Sequence, residues 1–138
     1  MSVTAPLGFT AAGLTAGLKP SGTKDLSLVI NNGPDTAVAA VYTSNRCKAN
    51  PVLWSQKASA DGQARAVVLN SGGANCYTGD FGYETTTLTA QTTAELLTNA
   101  GINLTITTLT GDMTPTQKNH ALLAIISGDA NIIIGTHA

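Results

Sequence analysis

The stretch AVVLNSGGANCYTG, residues 66 to 79, constrains the fold more than any other part of the chain. It reads as a buried strand running straight into a glycine-rich loop, the place where α/β folds hold a ligand against the backbone. The aliphatic run from Arg65 to Asn70 suits a pleated strand, and Ser71, Gly72, Gly73 and Asn75 follow at its carboxyl end. A length of 138 residues suffices for one domain around one core. The expected fold is therefore a single compact α/β domain over 1–138, with a mixed α+β N-terminal meander and a C-terminal parallel βαβ unit.

The rest of the pattern follows from punctuation and period. Phe9 to Leu18, Leu26 to Asn31 and Ala37 to Thr43 are short β-like runs, the last two separated by the turn Asn32-Gly33-Pro34-Asp35. Pro51 to Ala60 is helix-like, with Pro51 in the first turn, Val52 and Trp54 as packing residues, and Asp61-Gly62 as a stop. Residues 84 to 100 are expected as a helix, with Leu88, Leu96, Leu97 and Ala100 on one side and Gly101 just past its end, although threonine is a weak helix former. Ile102 to Leu109 alternates as a strand. Thr114-Pro115-Thr116-Gln117 is a capping box with proline at its first helical position, which predicts a helix over about 115 to 127. A strand from Asn131 to Ile134 follows, and the right-handed crossover rule makes it a parallel neighbour of Leu104 to Leu109.

Charge excludes several functions. The net charge is −1, with six Lys or Arg against three Asp in residues 1 to 79 and one Lys against five acidic residues in 80 to 138. Phosphate backbones require clustered cations, so no nucleic-acid partner is expected. No signal-like opening and no apolar run of the roughly 18 residues that a membrane span requires is present, so no membrane partner is expected and the location is read as cytoplasmic. Cys47 and Cys76 form no CxxC pair and have no histidine at ligand spacing, so they read as two reduced thiols rather than zinc ligands. With only 11% charged residues the surface is association-prone. Self-association is the expected partnership, as a dimer or tetramer, with exchange of segments as one route.

The candidate binding loop is Ser71, Gly72, Gly73 and Asn75, whose backbone N–H groups can face a carboxylate or phosphate. Because the loop contains no Lys or Arg, the preferred reading is a tight turn whose glycines supply positive φ. His120 reads as a surface residue of the last helix, His137 as solvent-exposed, and Asp112 and Asp129 as turn residues. No spacing supports a Ser/His/Asp set or a carboxylate pair. No catalytic residue, metal or cofactor is expected.

Two resemblances accompany this pattern. The stretches SVTAPLGFTAAGLTAGLKPSGTKDLSLVINNGP, AVYTSNRCKANPVLWSQ and AVVLNSGGANCYTGDFGYE resemble the amino-terminal part of the bifunctional ornithine acetyltransferase and N-acetylglutamate synthase family of arginine biosynthesis. That family reads Asn-Ala-Cys-Thr-Gly where this chain has Asn75-Cys76-Tyr77-Thr78-Gly79, one place out of step for the cysteine. The resemblance implies self-cleavage before a threonine whose freed α-amine then serves as its base. The Ala-Thr cleavage motif and the Ser-Thr-Gly oxyanion stretch are not among these residues. Residues 101 to 138, GINLTITTLTGDMTPTQKNHALLAIISGDANIIIGTHA, resemble the first motor lobe of RecG-type branched-DNA helicases. They contain neither a GxxxxGK[ST] loop nor an acidic Mg²⁺ motif, so no ATP hydrolysis follows.

The leading expectation is a segment-shuffled chimera with no evolved activity and thus no enzyme: acetyltransferase-like over 1–83, a junction in 84–100, and helicase-like over 101–138. The alternative is a divergent ornithine/glutamate N-acetyltransferase-like protein that needs a partner chain. A third reading is a nucleic-acid-binding module derived from the tail.

Overall fold

The computed structural model of the chain describes residues 2–102 and, along the backbone, 132–137. In chain order the elements are β1 (Phe9–Leu14), β2 (Leu26–Asn31), α1 (Asn50–Ala58), β3 (Ala66–Ser71), α2 (Gly79–Asn99) and β4 (Ile132–His137). The four strands form one sheet in the order β1-β2-β3-β4. β1 to β3 make an antiparallel meander, with Leu28 opposite Ala12 on one side and Val68 on the other. β4 lies parallel to β3, with Val68 opposite Ile134 and Ser71 opposite His137. This is the expected mixed α/β single domain.

Strand alternation decides which face is covered. Leu26, Leu28 and Ile30 of β2 and Ala66 and Val68 of β3 point the same way and meet Trp54 of α1 and Ala90, Ala94 and Leu97 of α2. Trp54 is the largest buried member, so its truncation to Ala would cost about 3–5 kcal/mol. α1 begins at Asn50 with Pro51 in its first turn, where a missing N–H is harmless. α2 ends as the sequence predicts. Gly101 adopts φ 82°, its N–H bonds the Thr98 carbonyl at 2.9 Å, and the Ile102 N–H bonds the Leu97 carbonyl at 2.9 Å. Those two bonds make a Schellman cap, with Ile102 packed against the core.

Three expectations change. Ala37 to Thr43 is not a strand; its only sheet-like contact among the described residues is the bridge between Ala37 and Gln63. α2 begins at Gly79 rather than at 84, and its buried face is Gly82, Thr86, Ala90, Ala94 and Leu97. Leu88 and Leu96 are exposed. Small residues let the helix sit close to the sheet, and that close approach outweighs the burial of the larger leucines. The predicted strand Leu104 to Leu109 and helix 115 to 127, with Asp112, His120 and Asp129, lie outside the described residues; the described parallel neighbour of β4 is β3.

The threonines of α2 are accommodated by bonding inward. Thr85, Thr86, Thr87, Thr89 and Thr93 each donate a hydroxyl hydrogen to the main-chain carbonyl four residues earlier. This replaces the water contacts that would otherwise pull such side chains toward non-helical local bonding. Among the described residues no helix is long and apolar enough to cross a membrane.

Candidate functional site

The glycine-rich loop leaves β3 and is held from both ends. At its start the Ser71 N–H donates to the Asp25 carbonyl at 2.8 Å. Gly72 adopts φ 95°, and a Cβ there would press on the Leu18 carbonyl oxygen at 3.1 Å, so the site requires glycine twice over. The 16–19 turn beneath it is gathered by the buried Asp25 carboxylate. Asp25 accepts the N–H of Ala16 at 2.6 Å, of Leu18 at 2.6 Å and of Lys19 at 2.9 Å. Those amide bonds, Ala16 first, hold the Asp25 carboxyl below its ordinary 3.8.

Farther along, Asn75 fastens two helices together. Its side-chain N–H₂ donates to the Gly82 carbonyl at 2.7 Å and to the Thr86 hydroxyl at 2.9 Å. Its side-chain oxygen accepts from Asn50 Nδ2 at 3.1 Å and from the Thr78 hydroxyl. Its main-chain carbonyl accepts the Asn50 N–H at 2.9 Å. Both donors and the acceptor of the carboxamide are engaged, so Asn75 binds the start of α1 to the first turns of α2.

Beside this fastening lies a cleft of about 460 Å³ between α2 and the sheet. Its floor is Leu18, Leu26 and Val68, and Asn70, Thr85 and Thr89 supply polar groups at its edge. Among the described residues no Lys or Arg lines it, so these offer no charge to an anion. In the structure Ser71, Gly72, Gly73 and Asn75 have different work. Gly73 and Asn75 wall the cleft, Gly72 packs on Leu18, and Ser71 is tied to Asp25. Sequence reasoning did not find Asp25, Asn50, Thr78, Gly82 or Thr86, whose bonds join segments that local periodicity does not relate, as Asn75 to Thr86 and Asn50 to Thr78 do. His137 occupies the last position of β4, in register with Ser71.

A second polar cluster faces solvent. The Tyr77 hydroxyl donates to the Cys47 sulfur, and this bond raises the Tyr77 pKa above its ordinary 10.0 because the neutral phenol is the donor. On the outer side of the helices, Lys57 Nζ donates to the Tyr83 hydroxyl at 3.1 Å. Among the described residues no group of three or more His, Cys, Asp or Glu is placed to hold a metal.

Comparison with known proteins gives a single answer. The ArgJ family model matches residues 10–136. The arginine biosynthesis bifunctional protein ArgJ of Thermobifida fusca is 52% identical over 120 residues, covering 86% of this chain and 31% of the relative. That of Mycobacterium tuberculosis is 44% identical over 142 residues, covering 98% of this chain and 34% of the relative. The chain therefore spans about a third of the length of the curated relatives it matches. Among solved structures, the ornithine acetyltransferase of M. tuberculosis complexed with ornithine superposes with a TM-score of 0.74 at 44% identity, covering 99% of this chain and 59% of that one. ArgJ of Bacillus halodurans superposes with a TM-score of 0.70 at 26% identity, covering 99% of this chain and 56% of that one.

These matches overturn the reading as an inert chimera. One family model lies on both sides of the expected junction, relatives align through the tail, and nothing found shows a helicase part. The expectation that the chain lies outside enzymes is corrected too, since its relatives are named as a bifunctional biosynthetic protein and an ornithine acetyltransferase. This chain belongs to the ArgJ family.

Proposed function

We propose that the chain takes part in acetyl transfer between ornithine and glutamate as one portion of an ArgJ-type enzyme, with a partner chain supplying the reacting groups. The observation that carries this reading is the 44% identity and TM-score of 0.74 to an ornithine acetyltransferase complexed with ornithine, sustained over 99% of the chain. In that reaction the acetyl carbonyl of N-acetylornithine is attacked by a nucleophile, ornithine leaves as the amine, and the glutamate amine then takes the acetyl group. A nucleophile needs a base beside it. The hydroxyls of Thr85, Thr86, Thr87, Thr89 and Thr93 instead donate to helix carbonyls, and among the described residues none is paired with a base. The role assigned to these residues is positioning: β3, α2 and the Ser71–Gly79 loop wall a cleft whose described lining carries no Lys or Arg and suits an acyl or alkyl group better than a carboxylate.

The same reading includes self-association. Leu88 and Leu96 stand exposed on α2 with few charges to discourage contact, and a dimer or tetramer would cover them. Acetyl transfer from N-acetylornithine to glutamate is measured for the pure chain, alone and mixed with the remainder of the T. fusca relative as a separate polypeptide. Turnover above a blank is expected in the mixture. A mixture that co-elutes as a complex without turnover, or one that never associates, refutes the proposal. Light scattering gives the mass of the chain alone, and a monomer at high micromolar concentration would remove the self-association.

A further inference from the structure

The chain has two cysteines, Cys47 and Cys76, separated by 29 positions, and the fold brings them to one place. The Cys76 thiol donates to the Cys47 carbonyl at 3.9 Å, and the Tyr77 hydroxyl donates to the Cys47 sulfur. Both cysteines are exposed. Their neighbours are locked together: the Asn50 N–H bonds the Asn75 carbonyl at 2.9 Å, and Asn50 Nδ2 donates to the Thr78 hydroxyl at 2.8 Å. The loop before α1 and the loop before α2 therefore cannot separate without breaking this clamp. Tyr77, between Cys76 and the clamp residue Thr78, sits at φ 57°, a left-handed conformation that a bulky residue adopts only when its surroundings enforce it.

We propose that Cys47 and Cys76 are an oxidation site, closing reversibly into a disulfide that ties the loop before α1 to the glycine-rich loop before α2. A disulfide spans roughly 4.4–6.8 Å between α-carbons. The Cys76 sulfur already lies against the Cys47 main chain, and closure swings the Cys47 side chain away from the Tyr77 hydroxyl toward it. The oxidant is a small disulfide of the glutathione class. One cysteine thiolate attacks it, forming a mixed disulfide and releasing one glutathione thiolate. The other cysteine thiolate then attacks the mixed disulfide, forming the Cys47–Cys76 bond and releasing the second glutathione. Two protons leave the cysteines, the cysteine pair is oxidised by two electrons, and one glutathione disulfide is reduced to two thiols. Arg46 and Lys48 line the same surface hollow as Cys47 and Tyr77, and their charge favours approach of the anionic glutathione molecule.

The site is independent of the acetyl-transfer reading and is tested without any activity. The reduced full chain is equilibrated with mixtures of reduced and oxidised glutathione, quenched with acid, and its intact mass measured, followed by proteolysis without reductant. The wild type should lose two hydrogens and yield a peptide pair linking Cys47 to Cys76, and added dithiol should reverse both. Cys47→Ser and Cys76→Ser should instead each retain one glutathione, because the resolving thiol is gone. A wild type that stops at one or two glutathione adducts, that cross-links into a covalent dimer, or that stays fully reduced in oxidised glutathione would overturn the proposal.

Discussion

The Asn75 carboxamide donates to the Thr86 hydroxyl across 2.9 Å, and Thr86 passes its own hydrogen to the Gly82 carbonyl at 3.0 Å. Thr86 is 3% exposed, so its hydroxyl has no water to fall back on, while Asn75 is half-buried. Leaving a buried polar group unpaired costs about 1–3 kcal/mol. Asn75→Ala and Thr86→Val should each lower stability by that order. In a double-mutant cycle the two should couple by about 0.5–3 kcal/mol, because the second change removes the orphan left by the first. Urea unfolding of the four proteins measures this; strict additivity would mean the bond contributes nothing.

Gly82 presents a conflict of signs. In a helix interior, Gly to Ala ordinarily stabilises by roughly 1 kcal/mol. A Cβ at Gly82, however, would run into Thr78 Oγ1, Asn75 Oδ1 and Asn50 Nδ2, the three groups that join the two helices. Those atoms are held by one another and cannot swing away singly. Gly82→Ala should therefore be net destabilising, by about 1–3 kcal/mol as overpacking of a tight site. A raised melting temperature in this variant would show that the cluster yields easily.

The same cluster shows what a linear reading can and cannot reach. Leu26–Asn31 and the strand around Val68 were legible because β-branched and aliphatic residues with turn signals at both ends have few alternatives, and the stop at Gly101 was legible because its cap is local. The first turn of α2 was not. Gly79 reads as the end of the glycine-rich loop, 80 to 83 carry no periodic signal of their own, and Thr78 makes no side-chain cap. That turn is stabilised from outside, Asn50 donating to the Gly79 carbonyl and Asn75 to the Gly82 carbonyl. The buried face of α2 was misread for a related reason. A leucine count favours the Leu88 side, whereas helix-to-sheet distance is set by Gly82, Ala90 and Ala94. As for the candidate loop, glycines after a strand are legible as a special conformation. Whether that conformation serves a ligand or an Asp25 anchor depends on contacts 46 or more positions away, as in the Ser71 N–H to Asp25 bond.

Asp25 should make stability depend on acid. Its folded pKa lies below the ordinary 3.8 because three main-chain amides bond the ionised carboxylate. A depressed carboxyl binds fewer protons folded than unfolded, so its contribution is fully present above the unfolded pKa and fades as pH falls through the folded one. Asp25→Asn lacks that charge at every pH. Urea midpoints for both proteins should therefore differ by a constant amount from neutral pH down to about 4, near the unfolded carboxyl value, and converge below it. A gap that widens on acidification would contradict the assignment.

The threonines of α2 supply a last test, in which one substitution has opposite signs on two faces of one helix. Thr85, Thr89 and Thr93 bond only their own helix, to the carbonyls of Phe81, Thr85 and Thr89. Those carbonyls belong to the helical ladder, so the hydroxyls add little, while threonine is about 0.7 kcal/mol or less below alanine in helix propensity and its back-bonding slightly strains the helix. Replacing all three by Ala should raise stability by about 1–2 kcal/mol in sum, the sites being separate turns. Thr86 stands beside Thr85 in sequence but faces inward and holds Asn75. Thr86→Ala gains the same propensity yet loses the bond that satisfies Asn75, a loss of about 1–3 kcal/mol that exceeds the gain. Thermal melts of the triple variant and of Thr86→Ala should move in opposite directions. If both rise, the Asn75 fastening is ornamental and the helix is governed by propensity alone.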